Sequence, residues 1–325
     1  MNILENNMIH IPYFSIIILN WNAKVYLKMC LDSVLLTDYN KNSYEVLVVD
    51  NGSIDGSIEL VKKNYPEVKL IKNERNLGFC KGNNIGIQEA LGDIIILLNN
   101  DTIVDRNWIK KILHEFEDLR VGVVGCRLLF PGTNIIQTFG FHERFLGYWE
   151  SLGCGEIFDK CNNYAEKVDY VCGAALAIRR DVIQKIGLLD PRFECVEDAE
   201  LCYRAKKAGY KVVMSHAVVY HFGSISWRKL PNIKLYLLGN KSRHRLIQKY
   251  YPSRSLLRYI IEWPIKSLLI ESLRFLREET LFHITINYDR NVEGKCKLIS
   301  ALYLFAINVI AFFITIFFAF RDQHS

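Results

Sequence analysis

The chain has no Cys-x-x-Cys pair, and its nine cysteines form an odd, scattered set. Neither a disulfide framework nor a zinc site is expected from that pattern, and a reducing compartment fits it. No block of Lys and Arg resembles a nucleic-acid arm. Nucleic acid is therefore not an expected partner, and the net charge of +6 suits an anionic substrate or a membrane surface. The first residues, MNILENNMIHIPYF, lack a basic stretch and a long apolar core, so they do not read as a signal peptide. Internal repeats are absent. What is present is a folding composition: 325 residues, half of them hydrophobic and 23% charged. That is enough for one large domain or two smaller ones.

Short apolar runs alternate with helical patterns along the first half. FSIIIL (Phe14 to Leu19) reads as a buried strand, and Val25 to Leu36 repeats apolar residues at helical spacing. Glu45 to Val49 leads a second strand into Asp50. The segment SIDGSIELVKKNYP then reads as a turn and a helix stopped near Pro66. Val68 to Lys72 gives a third strand and Asp93 to Leu98 a fourth. Between these two, a Gly/Asn-rich loop enters a helix for which Gly92 is the expected cap. A further helix around Trp108 is expected to be capped by Asp105. Val168 to Arg179 reads as a strand with Gly173 inside it. Strands alternating with helices predict an α/β fold: a mostly parallel sheet with helices on both faces. Ligands of such sheets bind beyond the carboxyl ends of the strands. Asn20, Trp21, Asp50, Asn51 and the group Asn99, Asn100 and Asp101 all fall at such ends.

Several of these residues suit definite chemistry. Asp50 could accept the N3–H of a uracil or thymine ring, or could simply cap the turn that follows. Asn76, Gly78, Gly82, Asn83 and Gly86 lie where free amides at a helix mouth favour phosphate. Asn99, Asn100 and Asp101 offer hard oxygen ligands for Mg²⁺ or Mn²⁺. Glu197 and Asp198 open a helix ending at Gly209, either complementing its dipole or supplying a general base. Glu200 and Arg204 have the spacing of a helical ion pair. His221 could complete a metal site, whereas His216 suits packing.

The far end has a different character. Ile299 to Phe320 carries no charge over a length sufficient to cross a bilayer. Basic residues crowd the upstream side, which places the N-terminal part in the cytoplasm by the positive-inside rule. Leu256 to Leu276 alternates apolar and basic faces, as interfacial helices do. The expected division is a catalytic domain over 12–226, an amphipathic basic helical region over 227–298 and a membrane helix over 299–320.

The segments SIIILNWN, VLVVDNGSIDGS, NERNLGFCKGNNIGI, DIIILLNNDT, VCGAALAIRRDVIQKIGLLDPRFECVEDAELCYRAKKAGY and VVYHFGS occur in this order. Together they resemble the family 2 inverting glycosyltransferases, particularly the rhamnosyltransferase-like branch. The resemblance implies a GT-A fold, a nucleotide-diphospho-sugar donor and a Mn²⁺ or Mg²⁺ cofactor. Asp50 would match the base-binding carboxylate, and Asp101 the last acid of the DXD-type motif, whose first position here is Asn99. Asp198 would match the catalytic base, supported by Glu197, and His221 the histidine that contacts metal or diphosphate. The QxxRW motif of processive synthases is absent, so transfer of one or a few sugars is implied. The acceptor would be a glycan or a lipid-linked sugar in surface polysaccharide or glycolipid synthesis. Two other readings stay open: a polyprenyl-phosphate sugar synthase and a nucleotide-sugar-binding membrane protein without turnover.

Overall fold

The structure is a computed structural model, and it describes residues 13–145, 148–158, 167–193, 195–223 and 232–252. The apolar run 299–320 and the amphipathic stretch 256–276 lie outside these residues. Among the described residues no helix is long and apolar enough to cross a membrane.

The chain divides into two units. The first comprises Met1–His142, Glu150–Pro191 and Glu197–Ser226. Its strands begin with β1 (Phe14–Asn20), β2 (Tyr44–Asp50), β3 (Lys69–Lys72), β4 (Ile94–Asn99) and β5 (Thr102–Val104). They continue with β6 (Val121–Leu129), β7 (Ile136–Thr138), β10 (Ala175–Arg179) and β11 (Lys211–His221), whereas β8 (Phe141–Phe145) and β9 (Tyr148–Ser151) each include residues of the second unit. The eleven strands are numbered in chain order. The helices are α1 (Lys24–Leu35), α2 (Ser57–Asn64), α3 (Phe79–Glu89), α4 (Trp108–Glu115), α5 (Arg180–Ile186) and α6 (Glu197–Lys207). The main sheet runs β3-β2-β1-β4-β10-β6-β11-β5, with β7 paired to β6 and with β8 and β9 in a sheet of their own.

Strands β3, β2, β1 and β4 are parallel, as the alternation of elements predicts. The rest is not. Strand β10 runs antiparallel to both β4 and β6, and β5 runs antiparallel to β11. The sheet is therefore mixed rather than mostly parallel. An apolar run buried on both faces carries no sign of its direction, so the sequence of β10 could not reveal the reversal.

Alternation along the strands builds two apolar layers. Ile16, Ile18, Val46, Val48, Ile94 and Ile96 pack with Leu27, Leu31, Val61, Trp108 and Ile112 from α1, α2 and α4. Ile17, Leu47, Val49, Ile95 and Leu97 face the other way, against residues of α3, α5 and α6. Helices thus cover both faces, as expected. Trp108 is fully buried, and its indole N–H donates to Thr37 Oγ1 at 2.9 Å.

Four local expectations change. Gly92 does not cap α3, which ends at Ala90 in an extended conformation. A side chain at Gly92 would come within 2.5 Å of the Ser15 amide, so this glycine permits close approach to β1. Asp105 is not the cap of α4; Asn107 occupies that position, and Asp105 Oδ1 accepts from the Asn107 amide at 3.0 Å. The strand expected over Val168 to Arg179 is only β10, and Gly173 precedes it. His216, expected to pack, is exposed.

The second unit comprises Glu143–Trp149, Arg192–Val196 and Trp227–Ser325. It contains the helix α7 (Asn232–Tyr250). Leu246 and Ile247 of α7 are buried. Arg245 donates to the Arg192 carbonyl at 2.7 Å, and the Lys249 ammonium lies 5.5 Å from the Phe193 ring centre.

Candidate active site

The carboxyl ends of β1, β2 and β4 lie side by side. Register pairs Asn20 with Asp50 and Leu19 with Asn99, so three parallel strands deliver their polar ends to one row. The buried Asn20 amide ties the row together. Its Nδ2 donates to Asp50 Oδ2 at 2.8 Å and to Ser53 Oγ at 3.2 Å. Its Oδ1 accepts from Asn100 Nδ2 at 2.7 Å. Asp50 Oδ1 accepts from the Ser53 amide at 2.7 Å. Asp50 thus does cap the turn after β2, and each of its oxygens still has a second lone pair.

Asn51 organises the neighbouring loop. Its side-chain amide donates to Asn76 Oδ1 at 3.3 Å and to the Gly78 carbonyl at 3.2 Å, while Asn73 donates to its oxygen at 2.9 Å. Gly82 and Asn83 are not part of that loop. They lie inside α3, where Asn83 Nδ2 bonds the Phe79 carbonyl at 3.1 Å. A side chain at Gly82 would meet Leu19 at 2.4 Å, and one at Gly86 would meet Ile17 at 2.5 Å. These glycines let α3 sit close against β1. Asn76 and Gly78 are the members of the set that stand at the helix mouth.

Asp101 follows β4 and is 4% exposed. Antiparallel pairing of β5 with β11 brings His221 opposite Thr102, next to Asp101. The Phe222 amide donates to the Asp101 carbonyl at 2.9 Å, which locks the two chain segments together. His221 Nε2 lies 3.3 Å from Asp101 Oδ1, and this buried nitrogen makes no hydrogen bond. On the other side of the ring, Nδ1 lies 2.7 Å from Gln137 Oε1. An amide oxygen accepts, so this contact matches the tautomer with its proton on Nδ1, which leaves the Nε2 lone pair facing the carboxylate. Such a pair of donors fits a divalent cation. Among the described residues no three of His, Cys, Asp and Glu gather as a metal cluster.

Asp198 sits in the first turn of α6. Its Oδ2 accepts from the Gly173 amide at 2.9 Å and its Oδ1 from the Ala199 amide at 2.8 Å. Burial pushes its carboxyl up to about 6, against the lowering effect of those amides. A carboxylate titrating there can accept a proton near neutral pH. Glu197 is half-buried beside it. The Cys172 thiol is pushed up to about 12, chiefly by burial, with Asp198, Glu197 and Asp101 adding to the effect. That thiol therefore senses the acids of both α6 and the β4 end. The Asn99 amide donates to the Ala174 carbonyl at 2.9 Å, one residue from the glycine that holds Asp198. Behind Asp198, Glu200 is fully buried and paired with Arg204 at 2.9 Å, as the sequence spacing predicted.

Two contributors escaped the sequence reading. Gln137 lies in a stretch with little periodicity, and nothing marks it as facing His221. Ser53 lies in the segment VLVVDNGSIDGS, but no spacing rule ties its hydroxyl to Asn20.

A family model described as "Glycosyl transferase family 2" matches residues 15–187, more than half of the chain. The chain belongs to that family. The matched residues include the Asn20–Asp50 row and Asp101, while Asp198 and His221 lie beyond them. Glycosyltransferase AglE of Haloferax volcanii is 27% identical over 212 residues, which cover 64% of this chain and 66% of that relative. The O-antigen biosynthesis protein RfbC of Myxococcus xanthus is 29% identical over 214 residues, or 62% of this chain and 16% of the relative. The chain thus spans under two thirds of the length of these relatives.

Among solved structures, a mannosyltransferase from Pyrobaculum calidifontis in complex with GDP-Man and Mn²⁺ superposes with a TM-score of 0.59 at 15% identity. That match covers 93% of this chain and 86% of the other. GalNAc-T7 with UDP, GalNAc and Mn²⁺ superposes with a TM-score of 0.60 at 18% identity, covering 87% and 59%. These likenesses carry the fold, which is GT-A.

Proposed function

We propose that the chain moves a sugar from a UDP- or dTDP-sugar to a hydroxyl of a glycan or lipid-linked acceptor, with inversion at the anomeric carbon. The observation that carries this reading is the Asp198 carboxyl, raised to about 6 and oriented by two backbone amides. A base that titrates near neutral pH suits proton removal from a sugar hydroxyl as its oxygen attacks. The proton passes to Asp198, the bond to the diphosphate breaks, and one displacement inverts the centre.

Asp50 and Asn20 would hold the base of the nucleotide, and Asn51, Asn76 and Gly78 would shape the loop over its diphosphate. Asp101 and His221 would hold Mn²⁺ or Mg²⁺, which would neutralise charge gathering on the leaving diphosphate. The UDP and Mn²⁺ of GalNAc-T7 support a UDP-sugar donor with a divalent metal, while the mannosyltransferase of the same fold holds GDP-Man with Mn²⁺. The O-antigen role of one relative supports a product in surface polysaccharide. We assign transfer of rhamnose or a related hexose within this class. The 299–320 run would anchor the enzyme to the cell membrane, with residues 12–226 in the cytoplasm and 227–298 along the bilayer surface.

A thermal-shift screen of UDP-, dTDP- and GDP-sugars, with and without Mn²⁺, tests the donor. Binding at a hundred times the dissociation constant stabilises by about 2.7 kcal/mol. A UDP- or dTDP-sugar should raise the melting temperature only when Mn²⁺ is present, and the same sugar should be transferred. A shift by GDP-sugars alone would overturn the donor assignment. For the anchor, removal of the chain from Ile299 onward should move the protein toward the soluble fraction, more so at high salt, with donor binding intact. Loss of donor binding in a folded truncated form would make that tail part of the catalytic core.

A further inference from the structure

Gln137 lies on β7, a strand of three residues held from both sides. Leu128 and Leu129 of β6 pair with it, and on its free edge the Ile136 amide donates to the Glu156 carbonyl at 2.9 Å. Ile136 is fully buried and Phe139 nearly so, both in a small apolar cluster with Leu129. This packing fixes the backbone of Gln137. Strands β7 and β11 lie on opposite edges of β6, so the Gln137 amide reaches over β6 to the ring of His221. The 2.7 Å contact between Oε1 and Nδ1 holds that buried ring, whose other nitrogen faces Asp101 without a hydrogen bond.

We infer that Gln137 is a positioning residue: its Oε1 keeps the His221 proton on Nδ1, so the Nε2 lone pair is directed at a cation shared with Asp101. The part of this inference that concerns the cation rests on the metal reading proposed above. The physical reason is the choice between two neutral tautomers. With the proton on Nε2, the ring would donate to Asp101, close the gap and exclude a cation. With the proton on Nδ1, the ring and Asp101 both present lone pairs, an arrangement that a divalent ion relieves. A fixed acceptor on Nδ1 selects the second state. Partners of ligating histidines commonly change metal affinity by about 10–100-fold when removed.

The test uses the full-length chain. Long-range proton–nitrogen NMR spectra of ¹⁵N-histidine-labelled, metal-free protein at about pH 8 report which nitrogen is protonated. His221→Asn identifies the resonance. Wild type should show the Nδ1–H form. Gln137→Leu, which keeps bulk but removes the acceptor, should shift His221 toward Nε2–H. Gln137→Glu, which keeps an acceptor oxygen, should retain Nδ1–H. Titration with MnCl₂, read by electron paramagnetic resonance with and without UDP, should show affinity falling about 10–100-fold in Gln137→Leu and recovering to within a few-fold in Gln137→Glu. An Nε2–H tautomer in wild type would overturn the inference. So would a folded Gln137→Leu protein with wild-type tautomer and Mn²⁺ affinity. Should wild type bind no Mn²⁺ in either titration, the metal reading falls, and the spectra still decide whether Gln137 sets the tautomer.

Discussion

On the β1–β2 side of the site, Asn20, Asp50, Ser53 and Asn100 direct their polar groups at one another. On the β10–β11 side, Asp198 and His221 do not reach that state. Asp198 is held by two amides yet still titrates high, and His221 Nε2 faces a carboxylate without a hydrogen bond. The first region is a closed network that holds its shape before any ligand arrives. The second holds groups in states that a proton, a cation or a substrate would relieve, which is where chemistry is expected. The contrast separates a half that would bind donor from a half that would act on it.

The largest effect should come from the second half. Asp198→Asn should lower transfer by about 10²–10⁴-fold while donor titrations stay near wild type. Near-wild-type turnover would remove Asp198 from the base role and dissolve the contrast. The same variant should also change stability with pH. The carboxyl is raised in the folded state, so its protonated form is favoured there. Its contribution is present below the ordinary aspartate range of about 3.9 and is lost as pH rises through about 6. Asp198→Asn should therefore be more stable than wild type at about pH 8 and lose that advantage in acid.

Next in size is the support beneath the base. Glu200→Ala leaves Arg204 without its buried partner and should cost about 3–5 kcal/mol in denaturant unfolding. A loss below about 0.5 kcal/mol would show that the pair contributes nothing there. Asp101→Ala should weaken donor binding in Mn²⁺ by at least about tenfold, roughly 1.4 kcal/mol, and change little in chelator. Equal losses in both conditions would assign Asp101 a structural role. In wild type, kcat/KM should fall about tenfold per pH unit below about 6, as Asp198 takes up its proton. A profile flat to about pH 4 would place the base elsewhere.

The smallest effect should lie in the donor half. Ser53→Ala removes the acceptor for the Asn22 amide at 2.8 Å and for Asn20 Nδ2 at 3.2 Å. A cost of about 1 kcal/mol is expected, read as a few-fold loss of donor affinity at unchanged kcat. A drop in kcat at constant affinity would show that the two halves are not separable.

Legibility in the sequence follows the same division. The strands β1 to β4 and the polar residues at their ends could be read because each run is apolar, ends abruptly and is followed by a helical pattern. Asp198 could be read because two acids opened a helix in the right order relative to the earlier segments. Direction could not be read, and β10 reversed. Gly82 and Asn83 read as loop because Gly and Asn suggest turns. Packing against Leu19 decided otherwise, since a helix pressed onto a strand needs small residues there. Gln137 is the clearest loss: its role depends on a side chain crossing a strand, and no local period records that.

Arg204, four residues along the helix from Glu200, also donates to the carbonyls of Ile186, Gly187 and Leu188 at 2.6, 2.9 and 2.9 Å. Just beyond, Asn84 of α3 brackets Leu189, giving 2.8 Å to its carbonyl and taking 3.0 Å from its amide. The consequence concerns lifetimes. The turn after α5 cannot open without releasing Arg204, and Arg204 cannot leave without breaking its ion pair with the buried Glu200. Amide hydrogens of this turn and of the start of α6 should then exchange with solvent on one common clock. The moments at which Asp198 loses its setting would be the rare openings of that whole unit, not the fraying of a helix end.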